Sequence, residues 1–245
     1  MKSIESLKSK FIQTMYEQYN KSTIKAKNHP KFFEELGTKI VQSILRQEGY
    51  QIIPTSKAEY PEIKFTDGKK TYAIDIKTGR KSAAPQFDLC HVSLYPQMNY
   101  KVFEEEWVFI VKYDLNKSYN ESLVECYFEK LHNVASIQKT GRLAGKVLSK
   151  GGHAIKVRPI TWEKIKNRDF EITDKETFLK LVISTQESIS GDCEKLKVMK
   201  EQVDKFNTHS IKTRLDLKTE EGIIQWILKH NLDIKSITDS LIQYN

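Results

Sequence analysis

The chain has 245 residues, of which 39% are hydrophobic and 29% are charged, and its 40 lysines and arginines against 32 acidic residues give a formal charge of +8. This composition supports a packed core and excludes a chain that is disordered throughout. The positive excess favours a polyanionic partner such as nucleic acid, although a basic surface also serves solubility alone.

The three cysteines, Cys90, Cys126 and Cys193, are widely spaced and form no C-x-x-C motif. They predict free thiols, and they favour neither a disulfide framework nor a zinc site. The charged N-terminal stretch lacks the apolar segment of a signal peptide, and no apolar run reaches transmembrane length. We therefore expect a soluble cytoplasmic protein without membrane contact.

Apolar spacing predicts the elements in chain order. Helical periodicity comes first, over residues 3–19 and 31–48. Strand patterns and an Asp-Gly turn signal follow, with a polar loop at 78–85 and an irregular segment at 132–152. The predicted strands are at 50–53, 87–93, 107–113, 123–128 and 154–159, with a β-hairpin at 62–77.

Helical signals return after these strands. A helical turn begins at Trp162, and the capping box Thr173-Asp174-Lys175-Glu176 opens a helix predicted to reach about residue 206. Two closing helices are predicted over residues 219–230 and 234–242. The order of helices, sheet and helices predicts an α/β (mixed α+β) domain with a central mixed β-sheet.

The hairpin places two carboxylates and a lysine on one sheet face. With the Asp-Gly dipeptide at 67–68 as a two-residue turn, Glu62 lies opposite Ala73. Strand alternation puts Asp75 and Lys77 on that same face. Glu62 is then diagonal to Asp75, at roughly 7–8 Å between backbones.

Such a cluster suits metal-assisted hydrolysis of a phosphodiester. Two carboxylates bind Mg²⁺ and leave positions for water and phosphate oxygens. Lys77 adds positive charge where negative charge develops in the reaction. The competing interpretation is a set of ion pairs on a solvated sheet face. The apolar strand around Asp75 and the preceding Pro-Glu favour a functional site.

These residues also resemble a known signature. Residues 60–62, Y-P-E, followed by residues 73–78, A-I-D-I-K-T, are similar to the motif of the PD-(D/E)xK nuclease superfamily. The likeness is to type II restriction endonucleases, in particular the homodimeric branch that cuts palindromic DNA to blunt ends. That branch often carries an additional acid on the helix before the motif. Glu34 is the candidate for it, with Glu35 beside it.

The resemblance runs loosely over residues 30–185 and implies the roles of the site residues. It implies that Glu62, Asp75 and the Ile76 carbonyl bind Mg²⁺. It implies that Lys77 is the catalytic lysine. The family's first acid is usually aspartate, and here it is a glutamate with one more methylene of reach.

The resemblance further implies a restriction-endonuclease-like catalytic domain at residues 1–185. The helical C-terminal extension at 186–245 would then serve packing, dimerisation or DNA contact. Three polar loops are candidates for reading DNA through phosphates or base edges. Their predicted DNA-binding residues are Thr55, Ser56, Lys57, Arg80, Lys81, Arg142, Lys146, Ser149 and Lys150.

The leading interpretation is therefore an Mg²⁺-dependent type II restriction endonuclease that hydrolyses double-stranded DNA to 5′-phosphate and 3′-hydroxyl ends. A homodimer is expected, because one active site cuts one strand and a twofold protein matches a palindromic site. The alternatives are a repair or junction-resolving nuclease of the same superfamily and a non-catalytic DNA-binding module.

Overall fold

The computed structural model describes residues 2–24, 28–55, 60–82, 84–92, 95, 99–147 and 155–190. These include four α-helices and seven β-strands. The helices are α1 (Lys8–Gln18), α2 (His29–Gln47), α3 (Trp162–Asn167) and α4 (Lys175–Ser190). The strands are β1 (Gln51–Ile53), β2 (Ile63–Thr66), β3 (Thr71–Arg80), β4 (Glu106–Tyr113), β5 (Leu123–Lys130), β6 (Gly145–Val147) and β7 (Ile155–Val157).

Helix α2 confirms the predicted apolar stripe. The Asn28 side chain caps the helix by accepting from the Lys31 backbone N–H at 3.1 Å, and Gly49 follows the helix with a φ of 89°. The buried face packs on the sheet at Gly37, where an added Cβ would lie 3.2 Å from Ile76 Cγ2. Helices α1 and α2 thus share a hydrophobic core with one face of the sheet.

The central sheet is mixed, as predicted. Its five strands lie in the order β1-β2-β3-β4-β5, with β3 and β4 parallel and the other neighbours antiparallel. Most of β4 is buried, which is typical of an interior strand with both faces covered. The observed mixed α+β architecture confirms the predicted fold class.

The β2–β3 hairpin corrects the predicted turn. Thr66 pairs with Thr71, so the loop has four residues, 67–70, and is not the two-residue Asp-Gly turn. The Asp67 carboxylate accepts from the backbone N–H groups of Lys69 and Lys70, at 2.8 and 2.7 Å, and thereby stabilises the longer loop. The register moves by two residues, which leaves the assignment of side chains to faces unchanged.

Two further strand predictions need correction. Strand β3 continues to Arg80, through the start of the loop predicted at 78–85. The strand predicted at 87–93 is absent from its described residues, 87–92, where His91 forms only an isolated bridge to Lys156. The apolar side chains of that segment are buried by packing without strand pairing. The Phe87 ring, for example, lies edge-on to the Trp162 ring, with the centroids 6.2 Å apart.

The chain divides into two compact units. The first is Met1–Leu89, Phe103–Ser136 and Arg158–Asp174, and it contains the five-stranded sheet. The second is Cys90–Val102, Ile137–Val157 and Lys175–Asn245. In this second unit β6 and β7 form an antiparallel pair, and Phe178 of α4 packs edge-on against Tyr95 at 4.7 Å.

Helix α4 begins at Lys175, where the capping box predicts a helix start. The predicted continuation to residue 206 lies outside the described residues beyond 190, as do the two closing helices. The C-terminal extension at 186–245 therefore remains a prediction. Within the described ranges, no helix is both long and apolar enough to cross a membrane.

Gly79, near the end of β3, is required by the approach of α3. A Cβ on Gly79 would lie 2.6 Å from Cζ2 of the buried Trp162 ring. We expect Gly79→Ala to lower the free energy of unfolding by about 1–3 kcal/mol, because neither the strand nor the indole has room to move. Urea denaturation measures this loss.

The control for Gly79→Ala is the same change in a Trp162→Phe background. Phenylalanine lacks the outer indole atoms that meet the new methyl group, so the cost of Gly79→Ala is expected to be smaller there. An equal cost in both backgrounds would show that the clash with Trp162 is not the cause.

Candidate active site

The candidate site lies where β3 runs past the end of β2. Among the described residues, pairing between these strands ends at Ile63 and Ile74. Beyond this pair, the Ile76 N–H points from β3 towards the side on which β2 lies. It donates to Glu62 Oε2 at 3.1 Å. The N–H and C=O of one strand residue project to the same side of the strand. The Ile76 carbonyl therefore points towards the same edge as Glu62.

Asp75 and Lys77 occupy the sheet face opposite α1 and α2. Asp75 is 1% exposed and forms an ion pair with the Lys77 ammonium group. The partners of these residues on β4 are Val108 and Ile110, which makes the surroundings of the pair apolar. A carboxylate and an ammonium group at such a position interact strongly, because water screens them little.

Glu62 reaches the same place from the end of the hairpin. The observed register puts Lys64 opposite Ala73, so the predicted pairing of Glu62 with Ala73 is wrong. Glu62 instead directly precedes Ile63, which pairs with Ile74. It therefore lies nearer to Asp75 along β3 than the predicted pairing with Ala73 implied. The structure thus bonds Glu62 to the backbone of Ile76, which lies between the paired Asp75 and Lys77 on β3, while the roles of all three residues remain predictions.

The accessory acid predicted on α2 is held locally. The Glu34 carboxylate accepts from Lys31 Nζ at 2.5 Å, one turn earlier on the helix, and Glu35 is exposed. The Glu34–Lys31 pair is a surface pair of the kind that contributes little to stability. The catalytic role of either glutamate remains a prediction.

Sequence reasoning missed three polar residues near this site. Tyr60 donates its hydroxyl to Glu106 Oε1 at 2.9 Å, and Glu106 is 4% exposed. Glu106 and Lys64 both pair with Ala73, so both share the sheet face of Asp75. Glu106 directly precedes the continuous apolar run of β4, and that run gives no signal of its contact with Tyr60.

A second polar cluster lies on the same sheet face, further along β4 and β5. The Glu125 carboxylate is surrounded by Lys112 Nζ at 2.8 Å, the Tyr127 hydroxyl at 2.7 Å and Lys166 Nζ at 3.1 Å. Burial raises the pKa of Glu125, but these hydrogen bonds outweigh it and lower that pKa to about 2. Burial also raises the pKa of Tyr127, with help from the bond to Glu125. The Lys112 ammonium group thus pairs with Glu125 and also lies over the Trp162 ring, 5.2 Å from the ring centroid.

Three of the predicted DNA-binding residues are described in the first unit, Thr55 before β2 and Arg80 and Lys81 at the end of β3. Thr55 donates its hydroxyl to the Glu62 carbonyl at 3.3 Å. Arg80 and Lys81 are exposed at the end of β3, with Lys81 Nζ 3.6 Å from Asp114 Oδ2. Arg80 and Lys81 thus follow the predicted catalytic lysine directly along β3, while Thr55 holds the backbone of the Glu62 segment.

In the second unit, Arg142 is exposed in a tight turn closed by the Gln138 N–H bond to its carbonyl at 2.7 Å, and the backbone of Lys146 lies in β6. The remaining predicted DNA-binding residues lie outside the described residues. These are Ser56, Lys57, Ser149 and Lys150.

The donors at the β3 edge fit Mg²⁺ better than a metal that needs a full protein cage. No cluster of three or more histidine, cysteine or acidic side chains suited to a metal occurs in the described part of the chain. Glu62 and Asp75 supply two hard carboxylates, and the Ile76 carbonyl points to the same edge. Mg²⁺ typically uses one or two carboxylates and completes its shell with water and phosphate oxygens.

No protein-family model matches this chain, and no curated protein matches its sequence. A solved structure described as NlaIV restriction endonuclease is similar, with a TM-score of 0.52 at 12% sequence identity. The match covers 86% of this chain and 89% of that chain. At this identity the similarity concerns architecture, and it agrees with the mixed five-stranded sheet flanked by helices. The chain has a restriction-endonuclease-like fold.

Proposed function

We propose that this protein is an Mg²⁺-dependent, sequence-specific endonuclease that hydrolyses double-stranded DNA, as type II restriction enzymes do. The observations that support the proposal are the ion pair between Asp75 and Lys77 and the hydrogen bond from the intervening Ile76 N–H to the Glu62 carboxylate. The restriction-endonuclease-like fold supports it, because the similar solved structure is described as a restriction endonuclease.

In this proposal Glu62, Asp75 and the Ile76 carbonyl would hold the Mg²⁺ ion. When bound, the ion supplies Lewis-acid polarisation of the scissile phosphoryl group. Asp75 is fixed by burial, and Glu62 is fixed by the Ile76 N–H, so the two carboxylates need little reorganisation. Water is the nucleophile, and the bond from phosphorus to the 3′ oxygen breaks, which leaves 5′-phosphate and 3′-hydroxyl ends.

Lys77 contributes charge to the reacting phosphate. Its side chain is 18% exposed, so Lys77 is mostly buried beside Asp75 but remains partly accessible from solvent. A cation held there stabilises negative charge that develops on the phosphoryl oxygens and orients the attacking water. Its partner Asp75 keeps it in that position before DNA binds.

The charge of the chain and the geometry of duplex cleavage support the remaining parts of the proposal. A formal charge of +8 favours binding to the phosphate backbone. Arg80 and Lys81 continue directly from the catalytic strand. One such site cuts one strand, so we propose that two copies act as a homodimer on a palindromic sequence.

Digestion of plasmid DNA with the purified protein and Mg²⁺ tests this function. We expect discrete fragments that appear in Mg²⁺ and are absent in EDTA, because a site-specific enzyme cuts at a few positions. Cleavage restricted to branched or mismatched substrates would favour the repair or junction-resolving alternative. Tight DNA binding without cleavage would favour the non-catalytic module.

A further inference from the structure

The Glu62 segment is tied to the parallel strand pair through Tyr60. The Tyr60 hydroxyl donates to Glu106 Oε1 at 2.9 Å, and the Tyr60 ring lies edge-on to Phe103 with centroids 6.3 Å apart. Tyr60 precedes Glu62 by two residues, and the two are joined through Pro61. A contact that fixes Tyr60 therefore restricts where the Glu62 backbone can lie.

Glu106 is suited to act as the anchor of this segment. It is 4% exposed and starts β4, where its carbonyl accepts from the Leu131 N–H at 2.9 Å. Its partner on β3 is Ala73, two residues before Asp75, so its carboxylate projects from the same sheet face as Asp75. A buried carboxylate needs hydrogen-bond donors, and Tyr60 supplies one that links the segment before β2 to the start of β4.

Glu62 itself accepts two hydrogen bonds, and its neighbour Ile63 pairs with Ile74 in the sheet. Thr55 donates to the Glu62 carbonyl at 3.3 Å, and the Ile76 N–H donates to the Glu62 carboxylate at 3.1 Å. The Thr55 bond is long and at the half-buried surface, whereas the Tyr60–Glu106 bond is shorter and ends on a buried group. The pairing of Ile63 with Ile74 thus fixes this segment after Glu62, and the Tyr60–Glu106 bond fixes it before Glu62.

We infer that Tyr60 and Glu106 are positioning residues that hold Glu62 against the β3 edge beside Asp75. This inference rests on the proposed function for its catalytic meaning, since a displaced Glu62 would bind Mg²⁺ less well. Its structural content stands without that function, since it concerns only the bond between Glu62 and the Ile76 N–H. Partners that orient a metal ligand commonly change metal affinity or activity by about 10–100-fold when removed.

The test is Tyr60→Phe, which removes the hydroxyl and keeps the ring against Phe103. Amide hydrogen exchange followed by NMR is expected to be about tenfold faster at Ile76 in this variant, because the acceptor on Glu62 is less well held. Ile74, which pairs with Ile63, is the internal reference and keeps its exchange rate. The Mg²⁺ concentration for half-maximal DNA cleavage is expected to rise about tenfold, with the rate recovering at saturating Mg²⁺.

Tyr127→Phe is the matched control. It removes one tyrosine–glutamate hydrogen bond, to Glu125 at 2.7 Å, from the same sheet face but away from Glu62. It is expected to leave both the exchange of Ile76 and the Mg²⁺ dependence unchanged. Unchanged Ile76 exchange in Tyr60→Phe would overturn the inference even if the protein cuts DNA. A wild-type protein that cuts no DNA would overturn the proposed function, while faster Ile76 exchange in Tyr60→Phe would still support the positioning of Glu62.

Discussion

Replacing Asp75 with asparagine is expected to abolish DNA cleavage while leaving the fold intact. Asparagine keeps the shape of a side chain that is only 1% exposed, but it removes the negative charge that we propose binds Mg²⁺. We expect the cleavage rate to fall on the order of 10³-fold or more, since the site loses a metal ligand and the charge that holds Lys77. A plasmid cleavage time course measures the rate.

DNA binding by Asp75→Asn separates catalysis from recognition. Fluorescence anisotropy in Ca²⁺ is expected to show near-normal affinity for a cognate duplex, because the basic surface is unchanged. Asp88→Asn is the matched control, since Asp88 pairs with Arg158 at 2.5 Å in the same unit and has no proposed catalytic role. If Asp75→Asn cut DNA at the wild-type rate, the assignment of the active site would be wrong.

The helices and the central strands could be predicted because their apolar periods are long and uninterrupted. In α2 the buried residues recur over five turns, and in β4 nearly every residue is buried. The segment at 87–92 also has buried apolar residues, interspersed with Asp88 and His91, but it lacks strand pairing, because burial alone does not fix backbone hydrogen bonds. Periodicity therefore identifies what is buried more reliably than how its backbone is paired.

In the hairpin, the predicted turn was wrong but the predicted assignment of side chains to sheet faces was right. The loop gained two residues because the Asp67 side chain binds the backbone of Lys69 and Lys70, an interaction that the Asp-Gly signal does not reveal. A shift of two preserves the side-chain alternation, so Glu62 stayed on the face of Asp75. A shift of one would have placed Glu62 on the α2 side of the sheet.

Tyr60 and Glu106 could not be identified from the sequence because they are 46 positions apart and meet only through the parallel pairing of β3 and β4. Parallel strands are joined by long connections, so no short motif reports their register. The same holds for Trp162, whose ring excludes a side chain at Gly79. The sequence motif therefore predicts the residues of the site, whereas only the tertiary structure reveals the residues that pack around them.

Lys77→Met is expected to lower the rate of DNA cleavage by about 10²–10³-fold at saturating Mg²⁺. Methionine fills much of the same space but provides no positive charge for the reacting phosphate. The change also leaves the buried Asp75 carboxylate without its counter-charge, and breaking a buried pair costs about 3–5 kcal/mol. Thermal unfolding without divalent ions is therefore expected at a clearly lower temperature.

A divalent ion should compensate for the missing lysine in stability but not in catalysis. Ca²⁺ bound at Glu62 and Asp75 replaces the lost positive charge, so it is expected to raise the Tm of Lys77→Met more than that of the wild type. Lys112→Met is the matched control, because Lys112 lies on the same sheet face but pairs with Glu125 at 2.8 Å. The cleavage rate of Lys112→Met should stay within about threefold of wild type, and Ca²⁺ should raise its Tm by the same amount as that of the wild type. If Ca²⁺ raised the Tm of both lysine variants equally, the metal would not bind beside Asp75. Glu62 and Asp75 would then not be metal ligands.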